Sequence, residues 1–352
     1  MTRILPSRTD KQRAKAVAKA AELLRAGEAI ALPTETVYGL AAHALNPDAV
    51  AKIFEAKERP RFDPLIVHLP DPSWLDQVAR IEKNSRPLIK KMVADFWPGP
   101  FTLILPRRKI IPEIVTAGLA TVAVRISAHP LFAEIIRVFG APLAAPSANQ
   151  FGRVSPTTAP HVLDELNGRI PLIVDAGSTL HGIESTIVAV RKGQIELLRR
   201  GPITAEQLEN FGKVVLARDV QRYPKAPGRL PSHYAPCTQL ILVDDPLSFV
   251  APKRKKCGLL AWRHLEGAKR FAEIRSLSST QDLREAAANL FRYLHELDQL
   301  KLDLIVAEKV PNHGLGAAIM DRLQRASTAW AQSSKSETRN KFKSRKSKMI
   351  ET

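Results

Sequence analysis

The chain has 352 residues, 45% of them hydrophobic, enough to bury cores in about two domains and too apolar for a disordered chain. Its 53 Lys and Arg outnumber 35 Asp and Glu, and the net charge of +18 points to an anionic substrate or partner. Cys237 and Cys257 are too few for a disulfide framework or a zinc site, no run of about 18 apolar residues suits a membrane span, and the first residues lack a signal peptide's apolar stretch; a metal-free protein of the reducing cytoplasm is expected.

Asp10 is expected to cap a helix running to about Ala26, with Val17, Ala20, Ala21 and Leu24 on one face and Gly27 as the stop. A strand over 29–32 follows. Asn46 and Pro47 supply the N-cap and first residue of a second helix, whose buried stripe is Val50, Ile53 and Phe54 and whose end carries Lys57 and Arg59. Strand-length apolar runs recur over 64–69, 101–105, 122–126, 143–145, 172–174 and 186–190, separated by Pro, Gly or helical patterns, which predicts an α/β domain around a central sheet. Thr204 and Gln207 form a capping box for its last helix.

Residues 213–236 have poor periodicity and four prolines, and read as a linker. Beyond it come strands over 240–243 and 258–261, a helix with Leu283, Ala287, Leu290, Leu294 and Leu297 on one face, a strand over 304–307 and a helix over 315–326, the cadence of a small parallel, Rossmann-like sheet. The expected organisation is an α/β domain over 1–212, a linker over 213–238, a smaller parallel α/β domain over 239–326 and a basic tail over 327–352. Residues 331–352 hold seven cations and two glutamates, a net +5 that leaves +13 on the body, and almost no core-forming residues; disorder is expected there.

Four loops concentrate reactive groups. Leu32-Pro33-Thr34-Glu35-Thr36-Val37-Tyr38-Gly39-Leu40 puts hydroxyls, a carboxylate and a phenol at a strand's end, where α/β sheets bind ligands, although a capped turn uses the same residues. Lys57-Glu58-Arg59-Pro60-Arg61-Phe62-Asp63-Pro64 packs three cations into five residues between prolines, and leads to His68. Solvated charges at a helix C-terminus are the plain alternative; the proline frame and the fit of Arg to phosphate favour an anion site. Ala144-Ala145-Pro146-Ser147-Ala148-Asn149 continues through Gly152-Arg153-Val154-Ser155 with tiny residues that let backbone amides approach a ligand, or that merely lead to the helix capped at Thr158. Gly182-Ile183-Glu184-Ser185-Thr186 enters a strand and Arg199-Arg200-Gly201-Pro202 leaves one. With no catalytic triad, Walker loop or zinc spacing, catalysis would work by positioning and electrostatics.

These motifs, with Pro227-Gly228 leading to His233-Tyr234-Ala235-Pro236, and Ile319-Met320-Asp321-Arg322 near the end, resemble the two-domain branch of the YrdC-like family of threonylcarbamoyl-AMP synthases over roughly residues 10–326. Lys57-x-Arg59 matches that family's Lys-x-Arg, and Ser147-Ala148-Asn149 its Ser-x-Asn. The resemblance implies a YrdC-like twisted mixed sheet with helices, followed by the smaller Rossmann-like domain. It implies condensation of L-threonine, bicarbonate and ATP to L-threonylcarbamoyladenylate and pyrophosphate, for t6A modification of ANN-decoding tRNAs. Lys57, Arg59, Ser147 and Asn149 would form the two catalytic motifs; Thr36, His68, Arg125 and Ser185 would surround threonine. Arg59, Asp63, Thr121, Ala145, Ser147, Ser155, Arg199, His233 and Tyr234 would surround ATP. Mg²⁺ would arrive with ATP and no protein-ligated metal is implied; tRNA or a t6A transferase complex is the implied macromolecular partner. Asp63 stands where some relatives carry Asn, and Arg229-Leu230-Pro231-Ser232 replaces the Met-x-Tyr-x that often precedes the linker's His-Tyr.

The alternative is a basic RNA-binding module without catalysis, supported by the charge and the tail but short of stacking residues, since aromatics are only 6%. The linker, too poor in apolar residues to fold alone, is expected to fold back as a lid that brings His233 and Tyr234 to the nucleotide, a plain spacer being the alternative.

Overall fold

The computed structural model describes residues 1–217 and 233–328. Most of the linker, with Pro227-Gly228, and nearly all of the tail lie outside the described residues. In chain order the large sheet is built from β1 (Arg3–Pro6), β2 (Ile30–Leu32), β3 (Gly39–His43), β4 (Ile66–His68), β5 (Phe101–Pro106), β6 (Thr121–Arg125), β7 (Leu143–Ala144), β8 (Leu172–Asp175), β9 (Thr186–Arg191), β10 (Gln194–Arg199) and β11 (Val214–Leu216). The strands lie in the order β1-β8-β2-β3-β7-β4-β6-β5-β9-β10-β11, with parallel and antiparallel neighbours mixed. β11 pairs with β10, so residues 214–216, expected in the linker, belong to this sheet.

Helices cover both faces. α1 (Asp10–Arg25) and a partner over Pro130–Phe139 pack Val17, Ala20, Leu24, Leu131 and Ile135 onto one face, with Ile30, Leu32 and Leu143 from the sheet. On the other face α2 (Pro47–Lys57) lays Val50, Ile53 and Phe54 on Leu40, Val67 and Leu103, with Met92 and Val162 contributed by two further helices. The first helix is capped by Thr9 and not by Asp10: Thr9 Oγ1 accepts from the Gln12 amide at 3.3 Å, and Gln12 Oε1 accepts from the Thr9 amide at 3.3 Å, a reciprocal box for which the sequence carries Gln at the right offset.

The second sheet is parallel throughout, in the order β12 (Leu240–Val243), β15 (Leu304–Glu308), β13 (Cys257–Ala261), β14 (Glu273–Ser276). A long helix, Leu283–Gln299, and a terminal helix, residues 314–328, cover it. The two domains share a core: Val37, Val154 and Ile183 of the large domain are buried in one cluster with Tyr234, Leu290, Phe291 and Ile319. Gly182 is held there by contact, because its φ is +65° and a Cβ would stand 2.5 Å from the Ala288 carbonyl oxygen in the long helix.

Candidate active site

The centre of the large sheet gathers the four loops. β4 pairs with β6 so that His68 lies beside Arg125, and β7 bridges β4 and β3. The chain leaving β7 then runs against Gly39, which pairs with Ser147; a Cβ on Gly39 would stand 3.3 Å from the Ala145 Cβ and 3.5 Å from the Pro146 oxygen, so glycine lets the two loops close on each other. The result is a recess lined by Thr34, Thr36, Arg59, His68, Arg125, Ala145, Ser147, Glu184, Arg199, His233 and Tyr234.

One side of the recess is a fixed cation. Arg125 donates through Nη1 to Thr36 Oγ1 at 3.1 Å and pairs through Nη2 with Glu35, whose other oxygen accepts from Ser127. Burial would raise the Glu35 carboxyl, but Arg125 and Ser127 outweigh it and hold the group below the ordinary carboxylate range. His68 packs on Phe132 with ring centroids 4.8 Å apart; burial, reinforced by the Arg125 charge, pushes its imidazole well below its ordinary value. It is therefore a neutral base with a buried Nδ1 that has no protein partner among the described residues.

The other side carries Arg59 and Arg199. Arg59 pairs with Asp63 at 2.8 Å and donates to the Asp63 and Pro64 carbonyls at 3.1 and 2.9 Å. Arg199 donates to Ser185 through both its carbonyl and its hydroxyl at 3.0 Å, and that hydroxyl also meets Thr102 at 2.8 Å. Burial lowers the hold of both guanidiniums on their protons, a cost that an incoming phosphate would offset. His233 and Tyr234 close the recess; they contact each other with ring centroids 4.1 Å apart, and His233 meets Phe151 edge-on. Burial drives the His233 imidazole well below its ordinary value and Tyr234 up to about 12, so both are neutral.

Of the residues expected at the site, Thr36, Arg59, His68, Arg125, Ala145, Ser147, Arg199, His233 and Tyr234 line this recess. Asp63, Ser155 and Ser185 sit one layer behind, against Arg59, Glu184 and Arg199 respectively. Lys57 and Asn149 do not line the recess but hydrogen-bond to the backbone around it. The Lys57 amine, 1% exposed, donates to the Ser147 and Asn149 carbonyls at 2.6 and 2.5 Å, and the Asn149 amide donates to the Gln150 and Arg153 carbonyls at 2.7 and 2.9 Å. Each motif thus sends one member, Arg59 or Ser147, into the recess, while Lys57 and Asn149 hold the loop behind it. Thr121 is not brought to the recess: it opens β6 while Arg125 ends it, about 13 Å away at strand rise, and it lines a different cavity with Ile104, Gln194 and Glu196. Glu35 and Glu184 stand inside the sequence motifs with no expected role; their partners, Arg125 and Arg322, are far along the chain.

A mixed sheet whose loops close on a buried cationic recess, joined to a small parallel-sheet domain, is the architecture of two-domain YrdC-like proteins. The profile of a family described as telomere recombination matches residues 22–201, and that of the threonylcarbamoyl-AMP synthase C-terminal domain matches residues 203–328. A threonylcarbamoyl-AMP synthase of Pyrococcus abyssi is 40% identical over 88% of this chain and 93% of its own, and one of Bacillus subtilis is 42% identical over 88% and 92%. The structure of P. abyssi Sua5 complexed with L-threonine superposes with a TM-score of 0.80 at 34% identity, covering 94% of this chain and 98% of that one. The chain belongs to the threonylcarbamoyl-AMP synthase family.

Proposed function

We propose that this protein condenses L-threonine, bicarbonate and ATP to L-threonylcarbamoyladenylate with release of pyrophosphate, and supplies that intermediate for t6A modification of ANN-decoding tRNAs. The observation that carries the reading is the pairing, within one recess, of a fixed Arg125 beside neutral His68 with a separate pair of cations, Arg59 and Arg199. Arg125 suits an amino-acid carboxylate, and Thr36 a hydroxyl or a carboxylate oxygen. The threonine ammonium must lose a proton before its nitrogen attacks CO₂, or attacks bicarbonate with loss of water; His68, held neutral by burial and by Arg125, suits accepting a hydrogen bond from that nitrogen rather than keeping its proton. One oxygen of the resulting carbamate then attacks the α-phosphorus, the bond to the β,γ-diphosphate breaks, and pyrophosphate leaves with its charge. Arg59 and Arg199 bear the charge that develops on the phosphate oxygens, and no side chain need form a covalent bond.

ATP enters as its Mg²⁺ complex. Mg²⁺ is a hard cation that suits phosphate oxygens and water, so the triphosphate itself would carry it. Binding also requires movement. The recess has room for only about 50 Å³, against the roughly 300 Å³ or more of ordinary ligand sites. His233 and Tyr234, both buried, are part of the lining, and their segment is the one expected to act as a lid. The reaction is tested by pyrophosphate release: it requires threonine, bicarbonate and ATP together, and release that ignores threonine overturns the reading. Hydrogen exchange over residues 233–236 should slow when ATP and threonine are both present.

A further inference from the structure

Arg322 lies in the terminal helix of the small domain, yet its side chain ends in the wall of the large domain's recess. It is fully buried, 0% exposed. Its Nε and Nη2 both lie 3.1 Å from Glu184 Oε2, its Nη1 donates to the Arg200 carbonyl at 2.7 Å, and its guanidinium carbon lies 5.4 Å from the Tyr234 ring centroid. Arg322 Nη1 also donates to the neighbouring Asp321 at 3.2 Å, a carboxylate shared with Arg325 at 3.0 Å, whereas Glu184 has two Arg322 nitrogens within 3.1 Å.

Glu184 needs that hold. Its carboxylate faces a recess otherwise furnished with Arg59, Arg125 and Arg199, and an uncompensated negative charge there would repel any phosphate that those arginines attract. Its second oxygen accepts from Ser155 Oγ at 2.5 Å, so both oxygens are turned onto protein donors. We infer that Arg322 is a positioning residue for the nucleotide half of the site: it neutralises Glu184, pins it on Ser155, and supports Tyr234 from beneath, so that the small domain sets the charge of a recess it does not otherwise enter. The inference rests on the proposed adenylation reading for the identity of the anion, and on the geometry alone for the charge arrangement.

The test is a charge cycle read by calorimetric binding of MgATP and, separately, of threonine. Arg322→Gln leaves Glu184 bare and should weaken MgATP at least tenfold while threonine affinity changes less than threefold. Arg322→Lys, which keeps the charge, should stay within fivefold of the wild type. Adding Glu184→Gln to Arg322→Gln removes the bare carboxylate and should restore MgATP to within threefold. Unchanged MgATP affinity in Arg322→Gln, or a double variant no better than the single one, overturns the inference, because a purely structural Arg322 would not be rescued by loss of its partner. Where Arg322→Gln fails to fold, Glu184→Gln alone decides: MgATP affinity equal to or tighter than the wild type supports the inference, and a tenfold loss overturns it. Wild-type protein that binds MgATP but makes no pyrophosphate would defeat the reaction and leave the charge arrangement standing.

Discussion

His161 of the large domain and His295 of the small domain stack across the seam, with ring centroids 4.0 Å apart and planes 20° apart. His295 Nε2 lies 3.2 Å from the Ser155 carbonyl and His161 Nδ1 lies 3.3 Å from Thr157 Oγ1, so the pair ties the small domain to the loop that carries Ser155.

That pair makes stability depend on acid. Burial first, then His295, pushes His161 down to about 3, with Asp164 and Glu296 opposing and Arg292 adding to the effect; burial first pushes His295 to about 4, opposed by its hydrogen bond to the Ser155 carbonyl and reinforced by Arg153. Both values lie below the ordinary histidine range, so the folded protein binds fewer protons than the unfolded chain once the pH falls below about 6.5. Stability is complete above that pH and declines toward pH 4, by up to about 1.4 kcal/mol per pH unit for each histidine. Urea unfolding at pH 7.5 and 5.0 should show the decline, and His161→Phe with His295→Phe should make it shallower, the remainder coming from other depressed histidines such as His68 and His233. An equal pH slope in the double variant would refute the assignment.

Lys57→Ala should unfold more readily. Two buried carbonyls, of Ser147 and Asn149, lose their donor at about 1 to 3 kcal/mol each, so a total loss of about 2 to 6 kcal/mol is expected in denaturant titration. A loss under about 1 kcal/mol would show that the Ser147 and Asn149 carbonyls do not depend on Lys57.

Threonine should be preferred to serine by about 10- to 200-fold in kcat/KM, because the missing methyl is worth only about 1 to 3 kcal/mol against small apolar walls such as Ile66 and Ala145. Pyrophosphate release titrated with each amino acid separately gives the two values, and equal ones would contradict it.

Removing residues 331–352, with their net +5, should leave pyrophosphate release unchanged while weakening tRNA binding and flattening its dependence on salt, since a phosphate that no Lys or Arg neutralises keeps its counterion. Loss of catalysis in the shortened chain would show instead that the tail enters the site.

The loops of the site are legible in the sequence because their chemistry is local: Pro33 to Leu40, Lys57 to Pro64 and Gly182 to Thr186 each carry their functional groups within a few residues. What escapes is whatever depends on distant partners. Glu35 reads as one polar residue among several until Arg125, 90 residues on, takes its carboxylate, and Glu184 acquires its role only from Arg322, 138 residues away. β3, with the sequence Gly-Leu-Ala-Ala-His, has little intrinsic strand preference and becomes a strand because β2 and β7 pair with both its edges. β1 contains Pro6 and pairs with β8 alone, at the sheet's rim, where neither alternation nor length marks it. Thr121 falls away from the site for a different reason: a strand carries near neighbours in sequence to opposite ends of the sheet.

The apolar residues at the seam decide how far this chain can be shortened. Val37, Val154 and Ile183 are 6%, 2% and 0% exposed only because Tyr234 and the helix bearing Leu290 and Phe291 cover them. Cut free of its partner, the large domain would show these side chains to water beside the open recess, an adhesive patch on the face where substrate must enter. A stand-alone version would therefore need polar residues at positions 37, 154 and 183 before it could remain dispersed, and its Glu184 would need a new counterion.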